Sequence, residues 1–167
     1  MTFYYLESSA LVKAYVLEPG SDRVREIIAA ARAEPPATRV LVSVVAFPEV
    51  ASAVSRRARP PQSIDATTAD RLLARLDADF FGPVRPYVLV NTNEWIARDA
   101  ASHTRTHKLR GYDAVHLATA LACRHSAPLG TDFVFVSADD DLIDAASAEG
   151  FVVEEIPTEW PEIPRAD

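Results

Sequence analysis

The 167-residue chain has a single cysteine, Cys123, and therefore cannot form an internal disulfide bond. One thiol also excludes a zinc site built on several cysteines. Cys123 ends the apolar run at 117–123, where we expect a buried, unreactive thiol rather than a nucleophile.

An excess of positive charge is also absent. The 24 aspartates and glutamates outnumber the 17 lysines and arginines, which gives a formal net charge of −7. This balance argues against a protein that coats DNA through bulk positive charge. It does not exclude a nuclease, because an acidic metal site contributes negative charge of its own.

Long apolar runs are missing as well. No stretch approaches the roughly 20 apolar residues that span a bilayer. The N-terminus, Met1 to Glu7, lacks the basic start and the apolar core of a signal peptide. We therefore expect a reduced, cytoplasmic location and no membrane partner.

The composition is that of an ordinary globular protein, with 49% hydrophobic and 25% charged residues, and the length fits one domain. Apolar patterns and breakers predict strands at 3–6, 40–42, 87–90, 133–136 and 151–153. They predict helices at 10–17, 23–33, 44–57, 67–80, 94–107, 112–125 and from 140 to about 149. Pro48 predicts either a bent first turn of the third helix or a later start.

Strands alternate with helices throughout, which predicts an α/β domain whose central parallel sheet is flanked by helices. We expect this domain to occupy residues 1–156. Residues 157–167 then form a polar, proline-rich C-terminal tail.

Acidic residues occur where such a sheet places functional groups, just beyond the carboxyl ends of its strands. Glu7 follows the first strand directly, and Asp139 comes soon after the fourth. If those strands are neighbours, the two carboxylates meet at one edge. Asp113 begins an apolar helix, where capping is the alternative role, and we expect Asp140 or Asp141 to cap the next helix.

Glu49 lies in an otherwise apolar segment, where a charge that faces the core is costly and a solvated position is the alternative. Converging carboxylates repel one another, and a divalent cation removes that repulsion. Ligand sets of oxygen alone favour Mg²⁺ or Mn²⁺. The chain has no H-E-x-x-H, Walker A, G-x-G-x-x-G or G-x-S-x-G motif, so metal-assisted chemistry on a phosphate is the leading class.

Four segments carry a family resemblance. Residues 5–13 read YLESSALVK, residues 109–120 read LRGYDAVHLATA, and residues 135–139 read FVSAD. The segment at 43–50 has a serine and, six residues later, a glutamate. Together, and in their order along the chain, these segments resemble the motifs of PIN domains, in particular the VapC-type toxins of bacterial toxin–antitoxin pairs.

The resemblance implies a three-layer PIN-like fold and a Mg²⁺- or Mn²⁺-dependent endoribonuclease. It implies that four acids are both catalytic and metal-binding: Glu7, Glu49, Asp113 and Asp139. It further implies an RNA substrate, a cognate antitoxin protein and a homodimer.

One departure from the family concerns Glu7, which stands where PIN domains have aspartate. The extra methylene moves the carboxylate outward, and Mg²⁺ tolerates poor geometry badly. The alternative is therefore a catalytically silent PIN-like domain that serves in RNA binding or interaction. A phosphatase for small molecules is a further alternative, although that class needs a nucleophilic aspartate after the first strand.

Supporting roles are also predicted. Ser9 and Ser137 can hydrogen-bond a carboxylate or a metal-bound water, or simply cap helices. We expect His116 to make a structural hydrogen bond rather than bind metal. Two basic runs supply the candidates for binding RNA phosphates: Arg56 and Arg57 in the first, and Lys108 and Arg110 in the run at 103–110. The alternative is that these residues simply form solvated helix faces. Lys13 is a further candidate for a phosphate contact.

Overall fold

The computed structural model describes residues 1–33, 35–61 and 63–160. Its five strands are β1 (Thr2–Leu6), β2 (Thr38–Ser43), β3 (Val88–Val90), β4 (Asp132–Ser137) and β5 (Val152–Glu155). Its helices are α1 (Ser8–Leu11), α2 (Ser21–Ala33), α3 (Ala46–Arg57), α4 (Ala66–Phe81), α5 (Glu94–Thr106), α6 (Gly111–Ser126) and α7 (Asp140–Ala148). All paired strands are parallel, in the order β3-β2-β1-β4-β5.

Helices cover both faces of this sheet. Side chains of a strand point alternately to its two faces, and β1 shows this with Leu6 on one side and Tyr5 on the other. Leu6 packs in the apolar core that contains residues of α1 to α4. Tyr5 packs in the core that contains residues of α5 to α7. The predicted three-layer α/β architecture with a central parallel sheet is confirmed.

The side of the sheet to which successive strands are added changes at its centre. From β1 it adds β2 and β3 on one side, and it then crosses to add β4 and β5 on the other. As a result β1 and β4 are paired neighbours, with Leu6 opposite Val136. In open parallel sheets, the crevice at such a reversal is where ligands bind. The expected adjacency of the strands before Glu7 and Asp139 is confirmed.

The first helix is shorter than predicted. α1 ends at Leu11 and continues as a single 3₁₀ turn, Val12–Ala14, rather than reaching residue 17. Lys13 is buried there, and its ammonium donates to the carbonyl oxygen of Pro157 at 3.0 Å and lies 3.7 Å from Glu18. The expectation that Lys13 contacts phosphate is therefore wrong, because these intramolecular partners hold its charge.

Pro48 does not break α3. The helix begins at Ala46, so Pro48 is its third residue. The first four N–H groups of a helix have no intrahelical acceptor, and a proline in the first turn costs no hydrogen bond. Of the two outcomes expected from the sequence, the later start is the one observed.

Among the described residues, no helix combines the length and the apolar character needed to cross a membrane. Ile156 is buried, and its N–H donates to the carbonyl oxygen of Ser137 at 2.8 Å. The predicted tail after this residue falls partly outside the described part of the chain, which ends at Trp160.

Candidate active site

A cavity of about 430 Å³ opens at the carboxyl edge of the sheet, above the crevice between β1 and β4. All four acids predicted from the sequence line it. The lining residues are Glu7, Ser8, Ser9, Pro48, Glu49, Ser52, Ala53, Arg56, Tyr112, Asp113 and Asp139.

Glu7 is buried, with 3% of its surface exposed, and its carboxylate caps α1. Oε1 accepts hydrogen bonds from the Ser9 N–H at 2.8 Å and from Ser8 Oγ at 2.6 Å. Oε2 accepts from Ser137 Oγ at 2.9 Å and from Ser9 Oγ. Ser9 and Ser137 therefore both bond this carboxylate. The longer side chain of glutamate folds back on the start of α1.

Asp139 performs the capping role that the sequence suggested for its neighbours. Its Oδ1 accepts a hydrogen bond from the N–H of Leu142 at 3.0 Å, at the start of α7. The expectation that Asp140 or Asp141 is the cap is wrong, because both lie inside the first helical turn. Asp139 thus joins two roles, capping one helix and lining the cavity.

Asp113 lies in the first turn of α6 and is not its cap, because Arg110 occupies the N-cap position. The pKa of Asp113 is raised above its usual value. Burial is the main cause, followed by the negative charges of Asp139, Glu7 and Glu49. The negative charges of the other three acids therefore reach Asp113.

Glu49 is held by a buried histidine. His116 is fully buried, and its Nε2 lies 2.8 Å from Glu49 Oε2. Its Nδ1 lies 2.9 Å from the hydroxyl of Tyr5, which donates to it when Nε2 carries the proton. The hydrogen-bonded chain Tyr5–His116–Glu49 matches the structural role that we expected for His116.

The four residues predicted to contact RNA lie in different surroundings. Arg56 lines the cavity, and its guanidinium donates to Ser52 Oγ at 2.7 Å. Arg57 turns away, forming an ion pair with Glu18 and donating to the carbonyl oxygen of Ala53. Lys108 and Arg110 are exposed outside the cavity lining, and Arg110 immediately precedes the helix that carries Asp113.

Some lining residues were not singled out by sequence reasoning. Tyr112 is 56% exposed at the cavity and neighbours Asp113 within the 109–120 segment, which was the available signal. Ser8 donates to Glu7, and its place inside the 5–13 segment was the available signal. No local pattern indicated Ser52, which holds Arg56 from one helical turn away.

Cys123 behaves as the sequence predicted for an unreactive thiol. It is partly buried and forms no disulfide bond, and burial raises its pKa to about 11. At neutral pH the thiolate, which is the nucleophilic form, is therefore scarce.

The donor set of the cavity fits a hard divalent cation. Its ligating side chains are all carboxylates, which suit Mg²⁺ or Mn²⁺. Within the described residues, no three of these four acids bring oxygens within 4.8 Å of one another. Mg²⁺ keeps several waters and is bound through one or two carboxylates, so it does not require three close protein oxygens. The negative charges of Asp139, Glu7 and Glu49 add to the effect of burial on the pKa of Asp113, and a bound cation would offset that repulsion.

Comparisons with known proteins identify the family of the chain. The model of the PIN domain family matches residues 4–148. Two curated Mycobacterium tuberculosis proteins, Ribonuclease VapC45 of strain CDC 1551 and Ribonuclease VapC49 of strain H37Rv, are each 37% identical to this chain over 123 residues. The alignment covers 73% of this chain and 77% of each relative.

Two solved structures share the fold. The crystal structure of PAE2754 from Pyrobaculum aerophilum superposes with a TM-score of 0.61 at 16% identity, covering 91% of this chain and 89% of that one. A toxin–antitoxin complex from Klebsiella pneumoniae gives a TM-score of 0.51 at 16% identity, covering 81% and 86%. On the family match and the 37% identity, the chain belongs to the PIN-domain family and is a member of its VapC-type group.

Proposed function

We propose that this chain is a metal-dependent endoribonuclease and the toxin of a VapBC-type toxin–antitoxin pair. One observation carries the proposal: four carboxylates line a single cavity at the reversal point of the sheet, with the Arg56 guanidinium among them. The names of the two curated relatives support a ribonuclease. Family membership supports the same reaction class.

Glu7, Glu49, Asp113 and Asp139 are the residues that would hold Mg²⁺ or Mn²⁺. The bound cation supplies charge neutralisation and Lewis-acid assistance to hydrolysis of an RNA phosphodiester. Glu7 contributes a fixed buried negative charge, because three serines hold its carboxylate in place.

The remaining residues bind and orient. Arg56 supplies the positive charge that a phosphate needs in an acidic cavity. Tyr112 offers an exposed aromatic face on which an unpaired base can stack. His116 fixes the direction of the Glu49 carboxylate, and Lys108 and Arg110 extend the positive charge beyond the start of α6.

The partners follow from the toxin assignment. VapC-type membership supports a cognate antitoxin and a homodimer, and one of the two structural neighbours is itself a toxin–antitoxin complex. An RNA substrate supports a cytoplasmic location for the activity.

The test is RNA cleavage by the purified chain in Mg²⁺, in Mn²⁺ and in excess chelator. Asp113→Asn serves as the site variant, and Asp77→Asn, an exposed acid on α4, serves as the matched control. We expect the unaltered chain and Asp77→Asn to cleave RNA when a divalent cation is present, and Asp113→Asn to have lost this activity. RNA binding without cleavage by the unaltered chain would contradict the proposal and favour a silent binding domain.

A further inference from the structure

A second group of metal-ligating side chains lies far from the acidic cavity. His103 lies in the last turn of α5, His107 directly follows the last residue of that helix, and Glu149 directly follows the last residue of α7. One ligand atom from each of the three lies within 4.8 Å of the others. α7 begins beside Asp139 in the cavity and spans nine residues, so at 1.5 Å per residue its far end is about 14 Å away.

His103 is the unusual member of this group. It is buried, with 7% of its surface exposed, and neither ring nitrogen has a hydrogen-bond partner among the described residues. The nearest acidic oxygens are Asp99 Oδ2, 3.4 Å from Nε2, and Glu149 Oε1, 3.8 Å from Nδ1. Buried polar atoms without a partner are costly, and a bound ligand is one cause of their retention.

The other two members of the group, His107 and Glu149, contact each other directly. His107 Nε2 lies 2.7 Å from Glu149 Oε1, and the two imidazole rings are nearly parallel with centroids 5.6 Å apart. Arg124 is the neighbouring positive charge, but it donates to the backbone carbonyl of Glu149 and lies over the Phe151 ring. The Glu149 carboxylate is therefore not tied to that guanidinium.

We propose that His103, His107 and Glu149 form a Zn²⁺ site that joins the end of α5 to the end of α7. Two histidines four residues apart on a helix bind zinc from one face, and a carboxylate from another element completes three protein ligands. Water takes the fourth tetrahedral position. Imidazole nitrogen favours Zn²⁺ over Mg²⁺, which is the reverse of the preference in the all-oxygen cavity.

The distances are compatible with small side-chain adjustments. Zinc bonds of about 2.0–2.1 Å place tetrahedral ligand atoms about 3.3 Å apart. The His107–Glu149 separation of 2.7 Å must open, and the His103–Glu149 separation of 3.8 Å must close. Each change is about half an ångström, within the reach of side-chain rotation.

The experiment titrates Zn²⁺ into the purified full-length chain against a chromophoric zinc chelator. Excess Mg²⁺ is present to occupy the acidic cavity. Glu149→Gln and His107→Ala are the site variants; the Glu149 side chain is 30% exposed, so its isosteric replacement should not disturb folding. His125→Ala, which alters an exposed histidine on α6, is the matched control, and Asp139→Asn tests the cavity.

We expect one Zn²⁺ per chain in the unaltered protein, His125→Ala and Asp139→Asn. Each site variant should lose at least about tenfold in affinity, since loss of even an outer partner costs that much. Co²⁺ should give the visible spectrum of a tetrahedral ion, and the spectrum should vanish in Glu149→Gln. Absence of stoichiometric binding, an equal loss in His125→Ala, or unchanged affinity in Glu149→Gln would overturn the site.

Discussion

His116 on α6 and Glu49 on α3 are joined by a 2.8 Å hydrogen bond between Nε2 and Oε2. The two helices belong to the layers on opposite faces of the sheet. The bond therefore ties both layers together beside the cavity. It also fixes the direction of the Glu49 carboxylate, one of the four acids at the cavity.

Replacing Glu49 separates its structural role from its role at the cavity. In Glu49→Gln the amide oxygen still accepts from His116, so we expect the free energy of unfolding to change little. In Glu49→Ala the fully buried His116 loses its partner, which should cost about 1–3 kcal/mol. Both variants should bind Mn²⁺ more weakly. Urea unfolding and calorimetry check this, and an equally stable alanine variant would contradict the buried bond.

Asp113 should make the cation-free protein less stable as the pH rises. Its folded pKa is raised above 3.8, so the group is protonated in both states below that value and disfavours folding once it ionises. Asp113→Asn should therefore unfold at a higher temperature than the parent near neutral pH in chelator. The gain should stay below about 1 kcal/mol, because water screens a half-buried carboxyl.

The same comparison at acid pH is the internal control for Asp113. The advantage of Asp113→Asn should disappear as the pH falls to 3.8 and below, where the parent carboxyl is neutral. Asp77→Asn should show no such pH-dependent difference. An advantage for Asp113→Asn that grows toward acid pH would have the wrong sign for the proposed repulsion.

Glu7 is the position where this chain departs from its family, and the structure shows the consequence. Both carboxylate oxygens are engaged by serines. Aspartate is too short to keep all of these bonds and should turn more of its carboxylate to a cation. We expect Glu7→Asp to raise the cleavage rate, more in Mg²⁺ than in Mn²⁺, and Glu7→Gln to lower it. A tenfold change corresponds to about 1.4 kcal/mol.

The readout for Glu7 is single-turnover cleavage of one labelled RNA in each metal. An unchanged rate in Glu7→Gln with both ions would remove Glu7 from the site. Cleavage by Glu7→Asp alone would instead show that the natural chain is silent.

Arg56 and Arg57 form a matched pair of neighbouring arginines with different surroundings. Arg56 lines the cavity, whereas Arg57 pairs with Glu18. We expect Arg56→Ala to weaken RNA binding and to reduce the salt slope by about one, and Arg57→Ala to leave both nearly unchanged. Filter binding at several salt concentrations measures this. Equal losses in the two variants would mean that the cavity does not direct the RNA.

Local sequence patterns predicted most of the fold because the signals themselves were local. α5 begins at residue 94 as predicted, and Asn93 caps it, with Oδ1 accepting from the Ile96 N–H at 3.0 Å. The buried strands were continuous apolar runs, and the acids beyond them were placed by the geometry of parallel sheets.

What the sequence did not predict depends on contacts between distant segments. The sequence predicted that Ser137 can bond a carboxylate but not which one, because its partner Glu7 lies 130 positions away in the chain. The ion pair that holds Arg57 away from the cavity needs Glu18, which lies in the loop before α2. In the sequence His103 belongs to a basic run, and it is buried only because α5 packs against other elements of the fold. Periodicity contains no information on which partner a long side chain will reach.

The most direct measurement is the single-turnover rate of RNA cleavage by the unaltered chain and by Asp139→Asn, each with Mg²⁺, with Mn²⁺ and with chelator. Asparagine keeps the cap on α7 while it removes one charge from the cavity, so a lost rate cannot be ascribed to unfolding. We predict that the unaltered chain cleaves RNA only when a divalent cation is present. We predict a cleavage rate at least about a hundredfold lower for Asp139→Asn, which corresponds to a rise of about 2.7 kcal/mol in the activation free energy. Cleavage that persists in chelator, or an equal rate in Asp139→Asn, would contradict these predictions.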